Sequence, residues 1–163
     1  MKIWTNAHRK FIDWLANKGK ISTDGDCEIT GLNGQLIKLT HLTELVDLAT
    51  AAGYGTVTIT CATSLPANSM ILSVNSYIKT VITADTGVSW GLGISGHTDH
   101  YGTGLAFTAG TTTYSGAAGV AAYQIPHWNA TAAPLLITGN AGHFHTGVVR
   151  IDVWCIQETA PTS

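Results

Sequence analysis

Histidine and carboxylate are the residues whose types and spacing could do chemistry in this chain. His97-Thr98-Asp99-His100 sets two imidazoles and a carboxylate in one glycine-flanked loop. His143-Phe144-His145 places two imidazoles on the same side of extended backbone, a spacing found among metal ligands. Asp24-Gly25-Asp26 with Glu28 lacks the further spaced acids of a calcium loop, so a solvated turn is expected there. Cys27, Cys61 and Cys155 have no evident activating partner, and no serine is expected to act as a nucleophile. Glycosidic cleavage needs two acids in one cleft. Beyond residue 53 the acids are Asp85, Asp99, Asp152 and Glu158, spread along the chain. The Gly-rich turns lie between strands and open no helix, so they build no phosphate cradle. The sequence therefore predicts no enzymatic activity and no cofactor. Its histidines are expected to hydrogen-bond at a surface or an interface, with His143 and His145 as lesser metal candidates. An unperturbed imidazole pKa of ~6.5 would make an assembly mildly pH-sensitive.

The elements that must position these groups are read from periodicity. The last strand, Gly147 to Gln157, alternates strictly: Val149, Ile151, Val153 and Cys155 on one face, Val148, Arg150, Asp152, Trp154 and Ile156 on the other. The first face is apolar throughout and reads as core. The second, a charged pair beside Trp154 and Ile156, reads as a surface that meets a neighbour. Further strands are expected at 56–61, 71–82 with a bend near Asn75, 88–94, 104–108, 121–125 and 135–138. Short strands with Gly-, Thr- and Pro-rich turns predict an antiparallel β-sandwich, most simply a jelly roll. Upstream, Trp4, Phe11, Ile12, Trp14 and Leu15 fit the apolar stripe of a short amphipathic helix over residues 1–21. Residues 22–35 read as linker, and Leu36, Leu39, Leu42, Leu45, Val46 and Leu48 predict a second helix over 36–52. The chain thus divides into residues 1–53, a helical anchoring segment with linker, and residues 54–163, the β domain.

Charge narrows the function. A formal net charge of −2 gives no electrostatic case for nucleic acid or an anionic membrane. No apolar run approaches the ~18 residues of a membrane span, and no secretory leader is visible. An odd number of distant cysteines argues against a disulfide framework. Cys61 and Cys155 are expected in the core, and Cys27 at the surface. Beyond residue 53 the charged residues are Lys79, Asp85, Asp99, Arg150, Asp152 and Glu158, far fewer than the ~25–35% of an ordinary exposed surface. A surface so poor in charge suits a protein covered by copies of itself or by a larger assembly.

From Leu65 onward the order of pieces resembles a β domain of tailed-bacteriophage virion proteins. The matching pieces are Pro66 to Val74, Val81 to Ala84, Trp90-Gly91-Leu92-Gly93, Asp99 to Leu105, Ala109 to Thr112, and Gly142 to Ile151. His145 adds a residue to the turn before the last strand. The resemblance implies a homotrimeric jelly roll, either the knob of a fibre or spike or a capsid decoration module. In such a trimer a His143/His145 pair from each chain could ring the axis. The short N-terminal extension favours a cement protein that binds the major capsid protein and stabilises the shell. It would sit on the capsid surface of a virion assembled in the host bacterial cytoplasm. Trp4, Phe11, Trp14 and Leu15 are then the expected capsid anchor, and Arg150, Asp152 and Trp154 the expected subunit interface. The alternative is a receptor-binding knob that uses Tyr101, Tyr114 and Trp128 on a host surface glycan.

Overall fold

Backbone pairing on both sides of the last strand organises the molecule. A computed structural model of the protein describes residues 19–21, 27–30, 36–51, 58–86, 88–115, 125–140 and 142–159. The first strands in chain order are β1 (Gly19–Ile21), β2 (Cys27–Thr30) and β3 (Leu36–Asp47), followed by one helical turn, α1 (Leu48–Ala51). Then come β4 (Thr58–Leu65), β5 (Ser69–Ala84), β6 (Ser89–Ile94), β7 (His97–Gly102), β8 (Thr112–Thr113), β9 (His127–Asn129), β10 (Ala133–Asn140) and β11 (Phe144–Thr159). The larger sheet runs β1-β2-β3-β11-β5-β8, with β9 also paired to β5, and the smaller runs β4-β10-β6-β7. All pairings are antiparallel. From β3 onward the chain passes back and forth between the sheets. The two facing orders, β3-β11-β5-β8 and β4-β10-β6-β7, are those of a jelly-roll sandwich.

The expected faces of β11 are correct. Val149, Ile151, Val153 and Cys155 are fully buried, while Arg150 and Trp154 face outward. Val46 from β3 and Ile71, Val74, Ile78 and Ile82 from β5 extend this core layer. Ile59, Cys61, Leu65, Trp90, Leu92, Leu135 and Ile137 of the smaller sheet join the same core cluster. Trp90 is wholly buried, and its indole N–H is satisfied by the Ala106 carbonyl at 2.9 Å. Cys61 and Cys155 are buried, as expected. Burial, with Glu44 nearby, pushes the Cys61 thiol up to about 12, which makes it inert.

Several expected elements are corrected. Residues 36–47 are the strand β3, not a helix, and only Leu48–Ala51 turn helically. β3 pairs with β11 from Asp47↔Val148 to Leu36↔Thr159, so the sandwich takes in residues upstream of 54. The leucine spacing misled because β3 is apolar on both faces: Leu42 and Val46 point inward, Ile37, Leu39 and Leu45 outward. The stretch 97–100, read as a loop, belongs to the edge strand β7, and the strand expected at 104–108 is irregular. β5 is in regular register at Asn75 and irregular on either side of it. Leu72 is skipped where Ile71↔Cys155 gives way to Ser73↔Trp154, Lys79 is skipped between Ile78↔Val149 and Thr80↔Val148, and the register shifts again before Thr83↔Thr146. The helix expected over residues 1–21, with Trp4, Phe11, Trp14 and Leu15, falls mainly outside the described residues. Residues 19–21 of it are the strand β1.

Two contacts lock the sheets locally. The Glu44 carboxylate of β3 accepts backbone N–H bonds from Ala62 (2.9 Å) and Thr63 (2.6 Å) of β4, tying the large sheet to an edge of the small one. Gly91 and Gly93 allow the β7 backbone to lie over β6. A Cβ on Gly93 would fall on the His97 carbonyl, and one on Gly91 would come within 2.9 Å of the Gly102 carbonyl. Because backbone atoms form these obstacles, Gly93→Ala is expected to destabilise by roughly 1–3 kcal/mol. Ile151→Ala, which opens a cavity beside the central strand, is expected to cost about 2–5 kcal/mol. Urea denaturation of both variants checks the order.

Candidate functional site

Three clusters of chemistry-bearing side chains are built by this framework. The first is at the turn between β10 and β11, where His143 and His145 flank the buried Phe144. Both turn to Asp85, at the end of β5. The His145 Nε2 is 2.8 Å from one carboxylate oxygen. The other oxygen accepts the His143 backbone N–H at 2.9 Å and lies 3.7 Å from the His143 Nδ1. The Asp85 N–H donates back to the His143 carbonyl at 3.1 Å. The His143 amide first, then His145, holds the Asp85 carboxyl below the usual carboxylate range. His143 and His145 do share a side, as their spacing predicts, but they serve to pin two turns together. Among the described residues no group of three His, Cys, Asp or Glu could hold a metal ion. Asp85, 58 residues before His143, could not have been joined to this pair by any local motif.

The second cluster closes one edge of the sandwich. Tyr101 of β7 is 3% exposed, and its hydroxyl meets the His127 Nε2 of β9 at 3.3 Å, bridging the two sheets. The His100 ring lies 5.0 Å from His127 and 6.0 Å from His97, centroid to centroid. Desolvation, with like charge from His127 and His97, presses His100 down to about 4, and desolvation also lowers His127. Tyr101 is therefore a core residue whose phenol is pushed up by burial, not the outer-loop contact expected of it. Tyr114 and Trp128 are exposed, but Trp128 lies on the strand β9 rather than in an outer loop.

The third cluster is the outer face of the larger sheet. Arg150 donates from Nε to Asp152 at 2.8 Å, and its guanidinium carbon lies 5.1 Å from the centre of the Tyr77 ring. The other Asp152 oxygen is 3.3 Å from the His41 Nε2, and the His41 ring stacks on Trp154 at 4.4 Å. The Arg150–Asp152 pair is thus closed within one chain. Around it stand Ile37, Leu45, Met70, Trp128 and Trp154, all exposed, with Trp128 paired in register to Met70. Arg150, Asp152 and Trp154 were expected together, whereas His41 and Tyr77 arrive from β3 and β5.

One further pattern is tested by its context. Gly87-Val88-Ser89-Trp90-Gly91 matches Gly-x-Ser-x-Gly, yet Ser89 opens the strand β6 and no helix follows it. Its hydroxyl is 3.4 Å from the Asn140 amide nitrogen. The strand-to-helix elbow that exposes a nucleophile is missing.

No family model and no curated protein matches the chain. Among solved structures it is similar to a chain of the acidic stable capsid structure of Helicobacter pylori bacteriophage KHP30. That likeness has 12% identity and a TM-score of 0.43, and covers 76% of this chain and 98% of that one. What fold and site define is a jelly-roll domain with a pinned turn, a histidine-closed edge and an apolar outer face.

The histidine edge carries a pH prediction. His100 and His127 titrate lower in the folded state than unfolded, where ~6.5 is ordinary. Their neutral forms therefore favour the fold above about pH 6.5, and that contribution is lost as pH falls through the folded values. The melting temperature is expected to fall between pH 7 and pH 4. His100→Gln should flatten that slope, which calorimetry across the range will read.

Proposed function

We propose that this chain is a non-enzymatic structural protein of a tailed-bacteriophage virion, a homotrimeric cement or decoration protein that binds the capsid and stabilises its shell. The observation that carries this reading is the outer face of the larger sheet. Ile37, Leu45, Met70, Trp128 and Trp154 remain exposed together on the outer side of β3, β5, β9 and β11. Large apolar side chains gathered on one rigid face mark a surface that another protein covers. The polar seam through that face is prearranged: Arg150, Asp152 and His41 are held by one another and by ring contacts, so little side-chain freedom is lost when a partner docks. The sparse charge beyond residue 53 and the resemblance to virion surface domains point the same way.

In this reading three copies meet through the Arg150, Asp152 and Trp154 face. The residues 1–18 segment, with Trp4, Phe11, Trp14 and Leu15, reaches the major capsid protein. Bridging contacts available only in the mature shell would stabilise that state by mass action. Three anchors on one trimer raise each other's effective concentration, so weak single contacts suffice. A receptor-binding knob is the second reading. The exposed Tyr114 and Trp128 rings favour it, because aromatic faces suit sugar rings.

Sedimentation velocity of the purified protein is expected to give a trimer. Leu45→Arg and Trp154→Glu should each weaken assembly by about tenfold or more, the cost of losing a buried anchor. Incubated with shells that lack it, the trimer should co-sediment and raise their melting temperature. A monomer at all concentrations overturns the interface, and a trimer that ignores shells but adsorbs to host cells moves the protein to the receptor-binding class.

A further inference from the structure

A concavity on the outer face of the smaller sheet lies apart from the Asp85 clamp and from the apolar face of the larger sheet, and shares only His97 with the histidine edge. It forms where β7 folds over the bare glycine backbone of β6. Gly91 lies in its floor, Thr138 and Asn140 of β10 form one wall, and His97, Asp99 and Thr103 form the other. Its volume is about 170 Å³. The glycine requirement explains why the space exists: the Gly91 Cα faces the β7 backbone directly, and a Cβ there would approach the Asp99 Cα at 3.6 Å and the Thr98 carbonyl at 3.2 Å.

The chemistry of the lining is uniform. Among the described residues no apolar side chain, lysine or arginine contributes to it. Asp99 is half-buried, and its negative charge acts on the neighbouring His100 imidazole. The Asn140 amide nitrogen reaches Ser89 only at 3.4 Å, which leaves its oxygen and second proton available. The Thr138 hydroxyl touches the Thr58 hydroxyl at a marginal 3.5 Å. A carboxylate that only accepts, an amide that does both, and hydroxyls that rotate to either role form a set matched to vicinal hydroxyls. The Asp99 charge, with no lysine or arginine in the lining to offset it, disfavours phosphates and carboxylates. The polar lining disfavours an apolar guest, and the volume lies well below the ~300 Å³ at which drug-sized pockets begin. One small neutral polyhydroxylated ring satisfies every condition.

We propose that this pocket binds a single neutral sugar ring, with Asp99 and Asn140 as its principal hydroxyl contacts. The site is separate from the apolar face of the larger sheet and is independent of whether that face makes a trimer. It also places sugar recognition away from Tyr114 and Trp128. A free monosaccharide and the terminal unit of a surface glycan present the same hydroxyls, so either can be the source.

Saturation-transfer NMR of the full chain with methyl glycosides of glucose, galactose, mannose and N-acetylglucosamine tests the proposal, alongside a printed array of longer glycans ending in the same units. At least one methyl glycoside should bind saturably. Asp99→Asn and Asn140→Ala should each weaken it by about tenfold or more, as expected when a hydroxyl partner is lost, with melting temperature unchanged. Thr103→Val supplies a third variant should either of these fail to fold. Trp128→Ala should leave binding intact. Equal affinity for the methyl glycoside and the array glycan identifies the free ring as sufficient, and tighter array binding identifies a surface glycan. Both support the site. No saturable binding to any probe overturns it. So does binding that survives the pocket variants or is lost in Trp128→Ala.

Discussion

The structure depends on a single strand being paired along both edges. β11 hydrogen-bonds to β3 over twelve consecutive partners and to β5 over its length, while its inward side chains fill the middle of the core. A strand in that position cannot slip by one residue, because a slip would move Val149, Ile151, Val153 and Cys155 to the outside and Arg150 and Asp152 to the inside. Fixing β11 fixes the register of its neighbours, and through them the strands and the turn that hold the side-chain clusters. The Asp85 clamp follows from this. β5 ends where the antiparallel β11 begins, at Ala84↔Phe144, so Asp85 comes to rest against His143 and His145.

How much of this could be read beforehand varied with how local the signal was. β11 was plain because one face is apolar and the other is broken by Arg150 and Asp152, which leaves a period of two. β3 was hidden because both of its faces carry large apolar residues. Leu36, Leu39 and Leu42 then fall at intervals of three by accident of composition, and a helix fits them as well as a strand does. The reason is now apparent: the outward leucines of β3 belong to the exposed face of the larger sheet, so the residues that obscured the strand are those that mark the surface. β7 was hidden for the opposite reason. At the sheet edge His97, Thr98 and Asp99 remain outside the core, and a strand whose first half is polar resembles a loop.

The clusters divide in the same way. Arg150, Asp152 and Trp154 lie on one strand and could be grouped by alternation alone. His41 and Tyr77, which complete that arrangement, come from strands distant in sequence, as does Asp85 in the turn clamp. The pocket beside β7 left only a faint trace, in Trp90-Gly91-Leu92-Gly93. Glycines alternating with large apolar residues indicate that something passes close over one face, without saying what it encloses.

These features describe a rigid sandwich whose two outer faces differ in kind. The larger sheet presents exposed aromatic and aliphatic side chains around a fixed polar seam, and the smaller presents a hydroxyl-lined hollow. Hydroxyl-radical footprinting, comparing the dilute protein with the protein at assembly concentration, tests the central claim that the first of these is the assembly surface. Trp154 and Met70 are expected to become protected on assembly while Tyr114 stays reactive. Equal oxidation of Trp154 and Met70 in both samples, with an oligomer present, would place the contact elsewhere and contradict the account.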